Sequence, residues 1–268
     1  MCRWSKPCRR SRKNSFFKEL GVWARRQPPA LWCPPGDHRY DQANHFAISV
    51  RGAIVFYNTD LKDHDLPHDP FKACVAPRPI GWISTVNSQG LANIAPYSFF
   101  NGIASNPPQI MYCTSGHQPH GPKDTLANIR ETGEFVVNVA TWDLRDPMNI
   151  TSQPARPDED EFALAGLTPA PSNLIKAPRI AQSPINMECR LSQIIDLLST
   201  DEAEPNVMVI GHVVGIHIDQ SVLSDGIIDA SKLRLISRLG YRDYARIDEV
   251  FAMTRPGGGD KLAAGKGR

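Results

Sequence analysis

The sequence predicts an α+β protein dominated by antiparallel strands, a barrel or sandwich with one or two helices against it. Three observations lead there. Short runs rich in β-branched and aromatic residues recur along the chain, separated by turn signals. One segment near residue 125 carries the start, period and stop of a helix. No Gly-x-Gly-x-x-Gly follows a strand, which argues against a doubly wound nucleotide fold. At 268 residues, 41% hydrophobic and 22% charged, the chain is long enough to bury a sizeable core.

Residues 1–50 stand apart. They mix basic residues with Trp4, Trp23, Trp32 and the prolines Pro28, Pro29, Pro34 and Pro35, without a sustained period. We expect a disordered basic extension. An Arg-rich, acid-poor start also fits an organelle transit peptide, whereas a secretory signal would need a continuous apolar run. Residues 51–255 form the expected domain. Ile80–Val86 reads as a strand, and Asn87–Gly90 as a turn with a glycine available for positive φ. Leu91–Phe100 resumes an extended pattern in which Pro96 marks an edge or a bulge. Gln109–Thr114 is a further short strand. A helix then follows, capped by Asp124 or Thr125, spaced by Leu126, Ile129 and Arg130, and stopped by Gly133.

Glu134–Ala140 returns to a strand. Trp142–Met148 and Glu159–Ala165 read as helical pieces, the second ended by Gly166. Thr168–Pro184, with four prolines, is a long connection. Ile185–Leu198 and Val207–Ile218 alternate and fit paired strands, and Ser224–Gly226 is a turn before Ile227-Ile228. Residues 256–268 read as a disordered tail.

The net charge of +2 conceals an asymmetry. Nine Lys or Arg against one Glu make residues 1–30 basic, residues 255–268 are basic as well, and the body between them is acidic. A basic nucleic-acid-binding domain is not indicated, and neither is an integral membrane protein. The longest apolar run, Val207–Ile218, carries two histidines and two glycines. Six cysteines form no Cys-x-x-Cys pair and no metal-ligand spacing, which favours reduced thiols in a cytoplasmic protein and no metal.

Two segments could hold a ligand. Lys123-Asp-Thr125 opens the helix, where free N–H groups and a partial positive charge favour an anion. The same residues also read as an ordinary cap with an exposed lysine. Ala95–Gly102 alternates small, hydroxyl, aromatic and amide groups that suit a flat, polar-edged ligand, with Ser84 and Thr85 facing the same space; it also reads as a plain core strand. His217 sits between two isoleucines. Arg238–Tyr244 mixes cations and phenols that could close a cleft or decorate a surface. No Gly-x-Ser-x-Gly elbow is present, and catalytic triads are not evident.

The strings APRPIGWISTVNSQGLANIAPYSFFNGIASNPPQIMYC and KDTLANIRETGEFVVNVATWDLRDPMNITS closely resemble the flavin reductase-like family of FMN-binding split-barrel proteins. That family includes flavoredoxin and the flavin reductase components of two-component monooxygenases. The similarity resumes in EFALAGLTPAPS, ECRL, VIGHVVGIHI and LISRLGYRDYARIDEVFAM, covering roughly residues 54–255. The resemblance implies an antiparallel split β-barrel with flanking helices, a homodimer, and FMN near the dimer interface. It places Ser84, Thr85 and Val86 beside the isoalloxazine. Ser98, Phe99, Phe100 and Asn101 would line the flavin and its ribityl chain. Lys123 and Thr125 would hold the phosphate, supported by Asn128. His217, Arg238, Tyr241 and Tyr244 would lie near the ring or the nicotinamide entrance. The implied chemistry is hydride transfer from NADH or NADPH to flavin N5, with no catalytic side chain required. A flavin-dependent monooxygenase is the implied partner. The alternatives are a flavoredoxin-type electron carrier and a non-enzymatic flavin-binding protein.

Overall fold

The structure is a computed structural model that describes residues 54–118, 121–156, 159–253 and 256. The expected extension 1–50 and all but one residue of the expected tail lie outside the described residues. The chain divides after Phe56, and the fold below belongs to the unit that starts at Tyr57.

A short helix α1 (Phe71–Cys74) precedes four strands, β1 (Gly81–Val86), β2 (Ala92–Tyr97), β3 (Phe100–Ser105) and β4 (Pro108–Ser115). Helix α2 (Asp124–Thr132) and β5 (Glu134–Val139) follow. A 3-10 turn at Trp142–Leu144 leads into α3 (Arg145–Ile150), then α4 (Glu161–Leu164), β6 (Pro169–Ala170) and β7 (Arg179–Ile180). Two long strands, β8 (Ile185–Leu197) and β9 (Asn206–Ile218), come next. The chain continues through β10 (Leu223–Ser224), β11 (Ile227–Ile228), α5 (Ala230–Leu233), β12 (Ile236–Arg238) and β13 (Tyr244–Arg246).

Seven strands form one antiparallel sheet in the order β2-β1-β5-β8-β9-β4-β3. Its two edges, β2 and β3, are consecutive in the chain and joined only by Ser98 and Phe99. The sheet therefore curls until its edges meet without pairing, which is a split barrel. Side chains bridge the seam. The Phe100 ring lies over Gly81, where a Cβ would sit 2.6 Å from a ring carbon. The backbone bond from the Cys113 amide to the Phe99 carbonyl, 2.7 Å, carries the β3–β4 pairing into the link.

The interior is filled by Ile83, Tyr112, Phe135, Val137 and Val209. The Phe135 ring reaches across to Gly211 of β9, where any Cβ would collide with it. All six residues of β1 are buried, because both of its faces are covered. Ile83 points into the barrel, while Trp82 points out into a second core with Ile94, Met148 and Phe162. Trp82 Nε1 also donates to the Thr151 hydroxyl at 2.9 Å, tying the end of α3 to the sheet. Helix α2 lays Thr125, Leu126, Asn128 and Ile129 on the barrel, a one-face pattern.

Most expected elements occur, and the differences have local causes. Helix α2 does end at Gly133, whose φ of 71° is left-handed. Its N-cap is Lys123 rather than Asp124 or Thr125, and no side chain caps it; both expected residues lie inside the helix. The extended run Leu91–Phe100 is broken at Ser98–Phe99, where the chain leaves one sheet edge for the other. Pro96 does sit on an edge strand, where its missing N–H costs nothing. The connection Thr168–Pro184 contains the small pairing of β6 with β7. Asp225 and Gly226 both have positive φ, as a two-residue hairpin turn requires. Cys74, Cys113 and Cys189 are free thiols. No helix among the described residues is long and apolar enough to cross a membrane.

Candidate functional site

The edge strand β2 and the link that follows it form the floor of a cleft. Pro96 and Tyr97 line three adjoining cavities of about 220, 100 and 370 Å³. The first is walled by Lys72, Arg78, Lys123 and Arg238, with Ser98, Phe99 and Tyr241. The second lies at the start of α2 and includes Lys123, Thr125, Gln118 and Glu161. The third runs past Ser98 and Arg238 to Tyr244 and Met148.

Four cations therefore meet in the first cavity, and no carboxylate is among its described lining residues. Setting them together has a cost for their charged forms. Burial lowers the Lys123 pKa, and Lys72 lowers it further. Burial also lowers Arg78, and Arg238 adds to the effect. Arg78 is held by backbone carbonyls, those of Lys72, Val75 at 2.6 Å and Leu239 at 2.7 Å, so its charge is positioned but not neutralised. Arg238 lies over the Tyr244 ring at 4.4 Å and donates to the Tyr241 carbonyl. Lys123 Nζ is 5.9 Å from the centre of the Tyr97 ring. The Tyr97 hydroxyl is pushed up to about 12 by burial and stays protonated. Thr114 Oγ1, Gln118 Oε1 and Arg78 Nε are buried without a hydrogen-bond partner, and all three belong to residues that line the cleft. An anion with further polar groups would satisfy both the cations and these atoms.

A polar network stands behind the cleft. The Thr125 and Thr85 hydroxyls donate to Asn93 Oδ1 at 2.8 and 3.2 Å, and Asn128 Nδ2 donates to the Thr85 hydroxyl at 2.9 Å. Asn93 Nδ2 and the Ile94 amide donate to Glu161, each at 2.7 Å. Burial still pushes Glu161 up to about 7, against the pull of the Ile94 amide, with Asp124 adding to the rise. Because Thr125 has given its proton to Asn93, it offers only lone pairs to the cleft. An anion there would be met by Lys123 and the Thr125 and Leu126 amides near the start of α2.

Of the residues singled out in the sequence, the structure brings Ser98, Phe99, Lys123, Thr125, Arg238, Tyr241 and Tyr244 to this cleft. Thr85 and Asn128 lie in the supporting network. Phe100 closes the seam over Gly81. The cleft does not include Ser84, Val86, Asn101 or His217 among its lining residues. Ser84 is fully buried and its hydroxyl donates to the Pro178 carbonyl at 2.5 Å. Strand alternation sends it to the face opposite Thr85, so the two do not face one space. Val86 is in a small core with Val136 and Ala177. Asn101 is exposed, and its side chain accepts the Gly102 amide. His217 sits toward the other end of β9, with Nε2 2.5 Å from Glu188 Oε1. Sequence reasoning missed Lys72, Arg78, Thr114 and Glu161. They come from four separate segments of the chain, and only the fold assembles them.

A split barrel whose seam carries a cationic, ligand-sized cleft is the architecture of a flavin-handling oxidoreductase. Residues 74–236 match the model of the flavin reductase like domain, and the chain belongs to that family. An uncharacterized protein of Halalkalibacterium halodurans is 37% identical over 183 residues, 68% of this chain and 87% of the relative. Nitrilotriacetate monooxygenase component B from Bacillus cereus is similar in structure, with a TM-score of 0.69 at 33% identity over 76% of this chain and all of that one. Pseudomonas fluorescens 2-nitrobenzoate 2-nitroreductase has a TM-score of 0.61 at 30% identity, over 69% of this chain and 88% of that one.

Proposed function

We propose that the protein binds FMN in the cleft along Pro96–Phe99 and is an NAD(P)H-dependent flavin reductase. The carrying observation is the wall of Lys72, Arg78, Lys123 and Arg238 with no described carboxylate to neutralise it. FMN has a phosphate, a polar ribityl chain and a flat ring. The donor set fits each part: Lys123 and the first-turn amides of α2 for the phosphate, Ser98 and the unpartnered Gln118 Oε1 for the chain, and Phe99 and Tyr244 beside the ring. Bound flavin would supply the two-electron chemistry itself. The chain's part is to hold the cofactor, keep a cationic environment that favours a more negative ligand, and limit water. No side chain here needs to act as nucleophile or general base.

The likeness to nitrilotriacetate monooxygenase component B supports a role in supplying reduced flavin to a separate monooxygenase. The outward face of β4, β8 and β9 leaves Met111, Met208, Ile195 and Ile210 half-buried, which supports a second copy of the chain as partner.

The test is the visible spectrum of the FMN-loaded protein, recorded anaerobically before and after NADH and then NADPH. We expect a flavin band that bleaches with at least one nucleotide. A bound flavin that resists both would make the protein an electron carrier or a flavin-binding protein instead. Lys123→Ala should weaken FMN binding about 10- to 100-fold, the worth of one charge-assisted contact. Unchanged affinity would remove Lys123 from the phosphate site.

A further inference from the structure

Beyond the cleft lies a separate cavity of about 310 Å³ that the cofactor reading leaves unused. It is lined by Trp142, Arg145, Met148, Asn149, Arg242 and Tyr244, among others. It shares Met148, Asn149 and Tyr244 with the 370 Å³ chamber, which in turn shares Pro96, Tyr97, Ser98 and Arg238 with the four-cation cavity. The three spaces adjoin one another in a row with cations at both ends. With FMN in the cleft, a second ligand in the far cavity would lie next to it, and the arginines there favour negative charge on that ligand.

The far end is built from arginine and aromatic rings. The Arg145 guanidinium lies over the Trp142 ring at 4.3 Å, donates to the Trp142 carbonyl at 2.9 Å and pairs with Asp146. Arg246 lies over the same ring at 4.9 Å. Arg145 is thus a half-buried, fixed plane, suited to stack against a purine. Arg242 differs. It is exposed, lines the cavity, and makes no side-chain hydrogen bond or ion pair among the described residues. Its planar fork is free to take a phosphate through two parallel bonds. Asp146 is the only acidic residue among the described lining residues, and it is already paired with Arg145.

We propose that this cavity holds the adenosine end of the nicotinamide donor, with Arg242 on a 2′-phosphate, so that the protein prefers NADPH to NADH. This rests on the reductase reading above. It adds the choice of donor and the residues that make it. Arg242 is a specificity residue here, remote from the reacting atoms.

The experiment has two arms. In the first, 2′,5′-ADP and 5′-AMP are titrated calorimetrically into the protein and into Arg242→Ala. The first ligand should bind at least about tenfold more tightly than the second, and the variant should lose that margin. In the second, kcat/KM for NADPH relative to NADH should fall at least about tenfold in Arg242→Ala, with Arg242→Lys between the variant and the parent because a point charge replaces the fork. Equal binding of the two adenylates, or a donor ratio that Arg242→Ala leaves unchanged, would overturn the assignment. The spectrum described above fails separately. If neither nucleotide bleaches the flavin, the reductase reading falls, and the calorimetric arm still judges the cavity.

Discussion

Two buried glutamates, one on β8 and one in α4, have opposite fates. Glu188, on β8, accepts the Asn173 and Leu174 amides, each at 2.7 Å, and lies 2.5 Å from His217 Nε2. Burial pushes its pKa up, but the Asn173 amide, His217 and the Leu174 amide outweigh that, and the net shift is downward. Glu161, beside the cleft, also accepts two donors at 2.7 Å. Burial outweighs them, Asp124 and Asp160 add repulsion, and it is pushed up to about 7. Glu188 stays an anion because its donors, the Asn173 amide first and then His217, outweigh burial, whereas burial outweighs the donors of Glu161 and leaves it titrating. Glu188 is a fastener that binds the 168–184 connection to the sheet. Glu161 anchors the network behind the four-cation cavity.

Removing the fastener should have the largest effect. Glu188→Ala leaves two amides and His217 without their acceptor in a dry position, and should cost about 3–5 kcal/mol in urea denaturation. A loss under 1 kcal/mol would mean that the connection is held by other contacts. His217→Ala keeps the two amide bonds and removes one charge-assisted partner, so about 1.5–3 kcal/mol is expected by the same measurement. If it matched Glu188→Ala, the amides would carry none of the difference.

The pH dependence sharpens the contrast at smaller scale. Glu161 has a folded pKa of about 7, above its ordinary 4.5. Its contribution to stability is full below 4.5 and is lost as pH rises toward 7. Glu188 has the reverse sign: its contribution is present above 4.5 and is lost as pH falls below it. Glu161→Gln should flatten the fall in urea midpoint between pH 4.5 and 7 that the parent shows. A slope that survives the substitution would assign it to another group.

The sheet was legible in the sequence where pattern is local. Ile80–Val86, Glu134–Ala140 and the pair 185–198 and 207–218 announce themselves by β-branched content, and Gly133 and Gly226 by the positive φ they adopt. The crossing at Ser98–Phe99 was hidden, since neither a glycine nor a proline marks it and the run on either side stays extended. The site was half legible. Lys123 was readable because it starts a helix, and Ser98–Phe99 because their block resembles a known family. Lys72 and Arg78 were not, because a cation's role depends on which other cations the fold sets beside it. Likewise, only the fold shows which donors reach Glu161 and Glu188.

The crossing has one more consequence. An open sheet has two free edges, each a template for strands of other chains. Here one edge, β2, carries Pro96, which cannot donate to an added strand. The other, β3, is kinked by a register shift between Gly102 and Ala104. Joined through Ser98 and Phe99 and pulled together at the seam, the two edges are poor seeds for strand-by-strand stacking. The opening that admits a ligand is thereby also kept from nucleating aggregation.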